Sequence, residues 1–146
     1  MSNLSCNCAG DHMEAVAEKF SHLQVDASFL GVWDSTNAQT TGIRRVEITT
    51  HNNRLFLHAY GADDGSLCDW GKVEVDLFTD GVESPLATKF RAFYDFGFME
   101  IRIHAWVKLG VLVFSIFNRF KDQSGRNNYF DREFFALQPT KNPHSA

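Results

Sequence analysis

The sequence predicts an all-β fold: an antiparallel up-and-down barrel of about eight strands, preceded by one helix. Three observations carry this. Gly31-Val32-Trp33 opens a series of short β-branched and aromatic runs. Turn residues separate those runs at near-regular spacing. Within several runs apolar and polar residues alternate with a period of two, which gives each strand one greasy face. A meander this long tends to curl, which removes exposed sheet edges and can enclose a pocket.

Residues 1–10 read as a tail. Asp11 then opens a helix predicted over about 11–23, because Asp11-x-x-Glu14 has the spacing of a capping box. Met13, Val16, Ala17 and Phe20 form its apolar stripe, which would plug one barrel mouth or pack outside. Strands are predicted at about 29–36, 42–50, 53–61, 68–79, 86–97, 98–108, 110–121 and 127–138. In the second, Ile43 starts the run, then Val46 and Ile48 oppose Arg45, Glu47 and Thr49. In the fourth, Val73, Val75 and Leu77 oppose Lys72, Glu74 and Asp76. In the sixth, Met99, Ile101, Ile103, Ala105 and Val107 oppose Glu100, Arg102, His104 and Trp106. Turns are expected at His51-Asn52-Asn53, Ala62-Asp63-Asp64-Gly65, Asp80-Gly81, Leu109-Gly110 and Ser124-Gly125, with positive φ tolerated at Gly81. Residues 11–138 make one domain and 139–146 a C-terminal tail.

The 146 residues suffice for a single core. Phe is abundant at 14 copies, which suits an ordinary core and equally a pocket for a planar ligand; core is the simpler reading. The net charge of −4 and the lack of a basic stripe argue against nucleic acid, and Arg44-Arg45 is too short to change that. No apolar run reaches membrane-spanning length. The first residues lack the features of a secretory signal, so a cytoplasmic location is expected. Cys6-x-Cys8 is half a zinc site with only His12 near, and reads as two reduced thiols. No metal or cofactor is expected.

Phe29-Leu30-Gly31-Val32-Trp33 resembles the opening of calycins, the group of lipocalins, fatty-acid-binding proteins and avidins. That resemblance implies a short helix or turn leading into the first strand. It also implies a Trp33 packed under the barrel floor and a cation from the last strand over it: Arg132, or alternatively Arg119. From about Phe29 to Leu137 the chain also resembles a set of small, poorly characterised bacterial proteins. The shared units are Cys68-Asp69-Trp70-Gly71 and Ser124-Gly125-Arg126-Asn127-Asn128-Tyr129. Many relatives carry a second Cys before the first unit, where this chain reads Gly61 to Leu67 without one. This resemblance implies a shared fold and no particular reaction.

Cys68-Asp69-Trp70-Gly71 could set a thiol, a carboxylate and an indole at a barrel mouth. No adjacent His would activate the thiol, so a strand start with Gly71 as a bulge is the simpler reading. Arg126 with its Asn neighbours could bind a carboxylate or sugar, or tie the last turn to Asp122 or Asp131. Three strand faces are polar and aromatic at once: Phe56, His58, Tyr60; Glu100, Arg102, His104, Trp106; and Lys89, Arg91, Phe93, Asp95. Pointing inward, they would line a pocket with His58, His104 or Glu100 as proton-transfer candidates. Pointing outward, they would make a subunit interface. The greasy alternate faces are the natural filling, so outward is expected.

The leading functional expectation is a small-molecule binding module, holding a hydrophobic or aromatic ligand at the open end through Phe56, Tyr60, Phe93, Arg102, Trp106 and Tyr129. One alternative is a cofactor-independent isomerase or cyclase of specialised metabolism with an inward His or carboxylate. Another is a structural or interaction protein with a filled barrel and an aromatic homo-oligomer interface. No short catalytic signature is present.

Overall fold

A computed structural model describes residues 23–140. Ten strands follow one another: β1 (Gln24–Val25), β2 (Gly31–Ser35), β3 (Ile43–His51), β4 (Arg54–Asp63), β5 (Ser66–Glu74), β6 (Asp76–Thr79), β7 (Leu86–Asp95), β8 (Met99–Lys108), β9 (Val111–Phe120) and β10 (Tyr129–Leu137). All belong to one curled, barrel-like sheet. β2 to β5 form one antiparallel meander and β6 to β10 another, and β10 pairs back onto β2.

The eight expected strands become ten for two reasons. The run expected at 68–79 divides at Val75. Its first part pairs with β4 up to Glu74 opposite Phe56, close to where β4 itself begins. The Val75 amide still donates to the Leu55 carbonyl at 3.0 Å; with little of β4 left to pair with, the chain bends and β6 pairs with β7. The second addition is β1, a two-residue parallel pairing with β7 that is too short to show alternation. The first expected strand also starts later, at Gly31. Asp26 accepts a hydrogen bond from the Ser28 amide at 2.9 Å and caps a single 3-10 turn over Ala27–Phe29. The helix expected at 11–23 lies outside the described residues, except for Leu23, which is not helical. The tails at 1–10 and 141–146 lie outside them as well, while Pro139 and Thr140 belong to no strand.

Turn chemistry sets the hairpins. Asn52 and Asn53 both take positive φ (52° and 58°), as do Leu109 and Gly110 (53° and 78°), the signature of two-residue turns that match strand twist. Gly81 does not take the positive φ expected of it. The wider loop there closes through the Ser84 amide on the Gly81 carbonyl at 3.2 Å and needs no mirror-image turn.

Alternation decides what lies inside. Leu55, Leu57 and Ala59 of β4, Ile101, Ile103 and Ala105 of β8, and Phe90 and Ala92 of β7 are all buried. Phe29, Phe90, Phe114 and Phe135 meet in series, edge-on for the first two pairs and tilted for the third, with ring centroids 5.1, 6.1 and 4.8 Å apart. Side chains therefore fill the space the sheet encloses. Trp33 is buried at one end of this core, its indole N–H donating to the Phe29 carbonyl at 2.9 Å. Gly31 beside it has φ 132°, and a Cβ there would lie 2.7 Å from Leu137 Cδ1. The expected cation over Trp33 is not Arg132. Strand phase turns Arg132 outward, with its guanidinium 5.7 Å from the Phe130 ring. Arg119 also faces out, 4.0 Å from Glu100.

One stretch of the wall is joined differently. Main-chain pairing links β6 to β7 only from Asp76 to Thr79. Beyond it, β5 and β7 share no ladder, and aromatic side chains fill the gap. The Tyr94 hydroxyl donates to the Gly71 carbonyl at 2.8 Å and accepts the Ala59 amide at 3.1 Å. Trp70 meets Tyr94 and Phe96 edge-on, at 5.7 and 5.3 Å. Gly71, at φ 88°, is the expected bulge, in mid-strand rather than at a strand start, and the β4–β5 register shifts there.

Candidate functional site

Because Ile101, Ile103 and Ala105 point into the core, Glu100, Arg102, His104 and Trp106 of β8 point out. Their cross-strand neighbours build a grid on the outer wall. One row runs Phe93–Arg102–Phe117–Phe130 across β7 to β10. The next runs Arg91–His104–Ser115–Arg132. The third runs Lys89–Trp106–Val113–Phe134 and is extended by Phe78 on β6. Two aromatic rows thus flank a cationic one, which β6 extends with Asp76 opposite Arg91.

The rings are accessible. Phe78, Phe93, Phe117, Phe130 and Phe134 are between 42% and 52% exposed. Three carry a guanidinium: Arg102 over Phe93 at 5.1 Å, Arg91 over Phe78 at 5.5 Å and Arg132 over Phe130 at 5.7 Å. A guanidinium stacked on a ring keeps its N–H donors free at the edge, ready for an anion. Acids lie only at the margins. Asp76 pairs with Arg91 at 2.9 Å, and Asp80 pairs with Lys89, which holds the Asp80 carboxyl below the ordinary range. Glu100 lies among Arg102, Arg119 and Lys121 at 3.6–4.0 Å.

Two clefts open on the grid. One, of 580 Å³, is lined by Phe78, Lys89, Arg91, His104 and Trp106 among others. The other, of 240 Å³, gathers Glu100, Arg102, Phe117, Asn118, Asn128 and Tyr129. Expected ligand residues Arg102 and Tyr129 therefore meet, with Glu100 beside them. Trp106 and His104 share the larger cleft, and Phe93 stands next to Arg102. None of them faces a barrel interior.

The remaining candidates lie elsewhere, on the outer face of β4. His58 Nε2 is 2.5 Å from Asp69 Oδ1, and His58 stacks on Tyr60 at 4.5 Å with the rings 7° from parallel. Hydrogen bonds from His58 and the Gly71 amide hold the Asp69 carboxyl below its ordinary range. Burial, then Glu47 and Asp69, push the Tyr60 phenol up. Lys72 lies 5.3 Å from the Phe56 ring. The Asp34–Arg45 pair, with contacts of 2.6 and 3.1 Å, completes a cluster whose charges satisfy one another. β4 and β8 are not neighbours in the sheet, so His58, His104 and Glu100 do not assemble into one proton-transfer site.

Arg126 settles its two alternatives locally: it donates to Asp122 at 2.6 Å and lies 4.1 Å over the Phe120 ring. Cys68 is an exposed free thiol, and the histidine nearby engages Asp69. The residues sequence reasoning missed are Phe78, Phe117, Phe130 and Phe134. Their adjacency appears only once the strand register is known. Glu133 was missed too. It is 7% exposed and accepts from Thr40 Oγ1 at 2.8 Å and from Ser35 Oγ at 3.3 Å.

Among the described residues no group of three His, Cys, Asp or Glu side chains could hold a metal, and no helix is long and apolar enough to cross a membrane. Cys6, Cys8 and His12 lie outside the described residues. The chain matches no family model, no curated protein and no solved structure.

Proposed function

We propose that this protein is a non-catalytic binding module built on a calycin-like barrel. Its ligand is a small aromatic molecule bearing a negative charge, held on the outer wall of β6 to β10. The observation that carries this reading is the grid itself: half-exposed rings in two rows with four cations between and within them, Lys89, Arg91, Arg102 and Arg132, of which Arg91 alone faces a carboxylate, Asp76, in its own row. Rings supply apolar area and stacking, and the guanidinia supply directed donors. With side chains filling the core, we read the site on the outer wall instead of at the open end where it was expected. His58, His104 and Glu100 all stand on the strand phase opposite the buried residues, which argues against an isomerase or cyclase that works through one of them from inside. A symmetric dimer whose axis crossed the Arg91–His104–Arg132 row would bring Arg132 and His104 close to their own copies, which disfavours that one packing.

The test is a titration of the full chain with 1-naphthoate, followed by NMR at the Trp106 indole and the β8 amides. Saturable shifts on β8 are expected. Trp106→Ala and Arg91→Ala should each weaken binding on the order of tenfold, equivalent to about 1.4 kcal/mol. Neutral 1-naphthalenemethanol should bind more weakly, and Tyr60→Ala should change nothing. No shift on β8, or equal affinity in the Trp106→Ala protein, overturns the reading.

A further inference from the structure

We infer that the outer wall is a stacking platform for single-stranded nucleic acid, an inference that rests on the outer-wall reading and names its ligand class. The two aromatic rows are four residues apart on every strand that crosses them: Phe93 to Lys89, Arg102 to Trp106, Phe117 to Val113 and Phe130 to Phe134. At strand rise this is about 13 Å. One isolated aromatic ligand needs one station, whereas the wall offers two, each opening into its own cleft of 580 or 240 Å³.

Between the stations runs the row with Arg91, His104 and Arg132. A polymer laid from one station to the other must cross it, so the linking segment must tolerate or welcome positive charge. Phosphodiesters do, and unpaired bases have π faces for the flanking rings. A duplex hides its base faces inside the stack and would leave the rings unused. The net charge of −4 does not bar a local contact: Arg91, Lys89 and Arg102 share the carboxylates of Asp76, Asp80 and Glu100, while Arg132 and His104 stand in the middle row without a carboxylate beside them in register. An acidic peptide would meet the cations equally well, but it does not present a regular series of flat faces.

The experiment is fluorescence anisotropy of the full chain with a labelled oligothymidylate of about twelve nucleotides, at about 50 and 200 mM salt. Expected are saturable binding, weaker at the higher salt, and a loss on the order of tenfold for Phe117→Leu and separately for Trp106→Leu. Leu keeps these positions apolar, and a circular dichroism spectrum like the parent's confirms that each variant is folded. Inorganic polyphosphate and poly-glutamate should compete poorly. If 1-naphthoate binds and the oligonucleotide does not, this inference falls and the small-molecule reading stands. If neither binds, both fall. If polyphosphate or poly-glutamate competes as well as unlabelled oligonucleotide, or both Leu variants bind like the parent, the wall is only a cationic patch and the inference is overturned.

Discussion

The Tyr94 hydroxyl donates to the Gly71 carbonyl at 2.8 Å while accepting the Ala59 amide at 3.1 Å. One phenol on β7 therefore holds both β4 and the bulge of β5. It does so where the main chain provides no ladder between β5 and β7, so the side chain replaces missing backbone bonds. Burial pushes its pKa up to about 12, since the charged phenolate would have to form inside the core.

Replacing Tyr94 by Phe keeps the ring and removes both hydrogen bonds. The Ala59 amide and the Gly71 carbonyl then lose a partner, and a loss of about 1–3 kcal/mol is expected in urea unfolding at pH 7. The pH dependence has a definite sign. The folded pKa is raised, so the contribution is complete below the ordinary tyrosine value of about 10 and disappears as pH rises through about 12. The gap between parent and Tyr94→Phe should narrow across that window.

Gly31→Ala should lower stability by about 1–3 kcal/mol in thermal unfolding. The backbone sits at φ 132°, and the new methyl would come within 2.7 Å of Leu137 Cδ1. Gly81→Ala is the control. Its Cβ meets nothing within 4 Å and its φ is not positive, so Tm should barely move.

Hydrogen bonds from Ser124 and then from Arg126 lower the Asp122 pKa to about 2. A depressed carboxylate stabilises the fold above its ordinary pKa of about 3.9, and that contribution is lost as pH falls through about 2. Carbon-detected NMR titration should show the Asp122 carboxyl titrating last among exposed aspartates. Arg126→Ala should bring it back towards the ordinary value.

Glu133 tests the polar end of the core. Glu133→Leu leaves the buried Thr40 hydroxyl without its acceptor, whereas Ser35 keeps Asn37, and a loss of about 1–3 kcal/mol is expected in thermal unfolding. Glu133→Gln keeps one oxygen acceptor and should lose less.

Period-two alternation made the inside and outside of the wall legible. Ile101, Ile103 and Ala105 against Arg102, His104 and Trp106 could be sorted from sequence, and the structure sorts them the same way. The hairpins at Asn52-Asn53 and Leu109-Gly110 were legible because Asn and Gly interrupt apolar runs there, although Leu109 itself takes a positive φ that its side chain disfavours. Pairwise facts were not. The His58–Asp69 contact depends on a bulge that shifts register by one residue, and composition carries no trace of it. The bend at Val75 was hidden because alternation continues through it unbroken: what changes there is the neighbour, not the strand phase. Arg132 was assigned to Trp33 by resemblance, whereas its phase on β10, between Asp131 and buried Glu133, turns it away. The grid was half visible. Its β8 members were picked out, but Phe117, Phe130 and Phe134 join them only once β8, β9 and β10 are aligned.

The stretch closed by Tyr94, Trp70 and Phe96 has one more consequence. Side chains rotate out faster and at lower cost than a ladder of amides unzips, so the curled sheet has a preferred place to part. Amide hydrogens of β5 on the side turned away from β4 should exchange with solvent first, while β8 and β9, paired along their whole lengths, retain theirs longest. Opening is expected to begin at this seam, held by one phenol and its two aromatic neighbours.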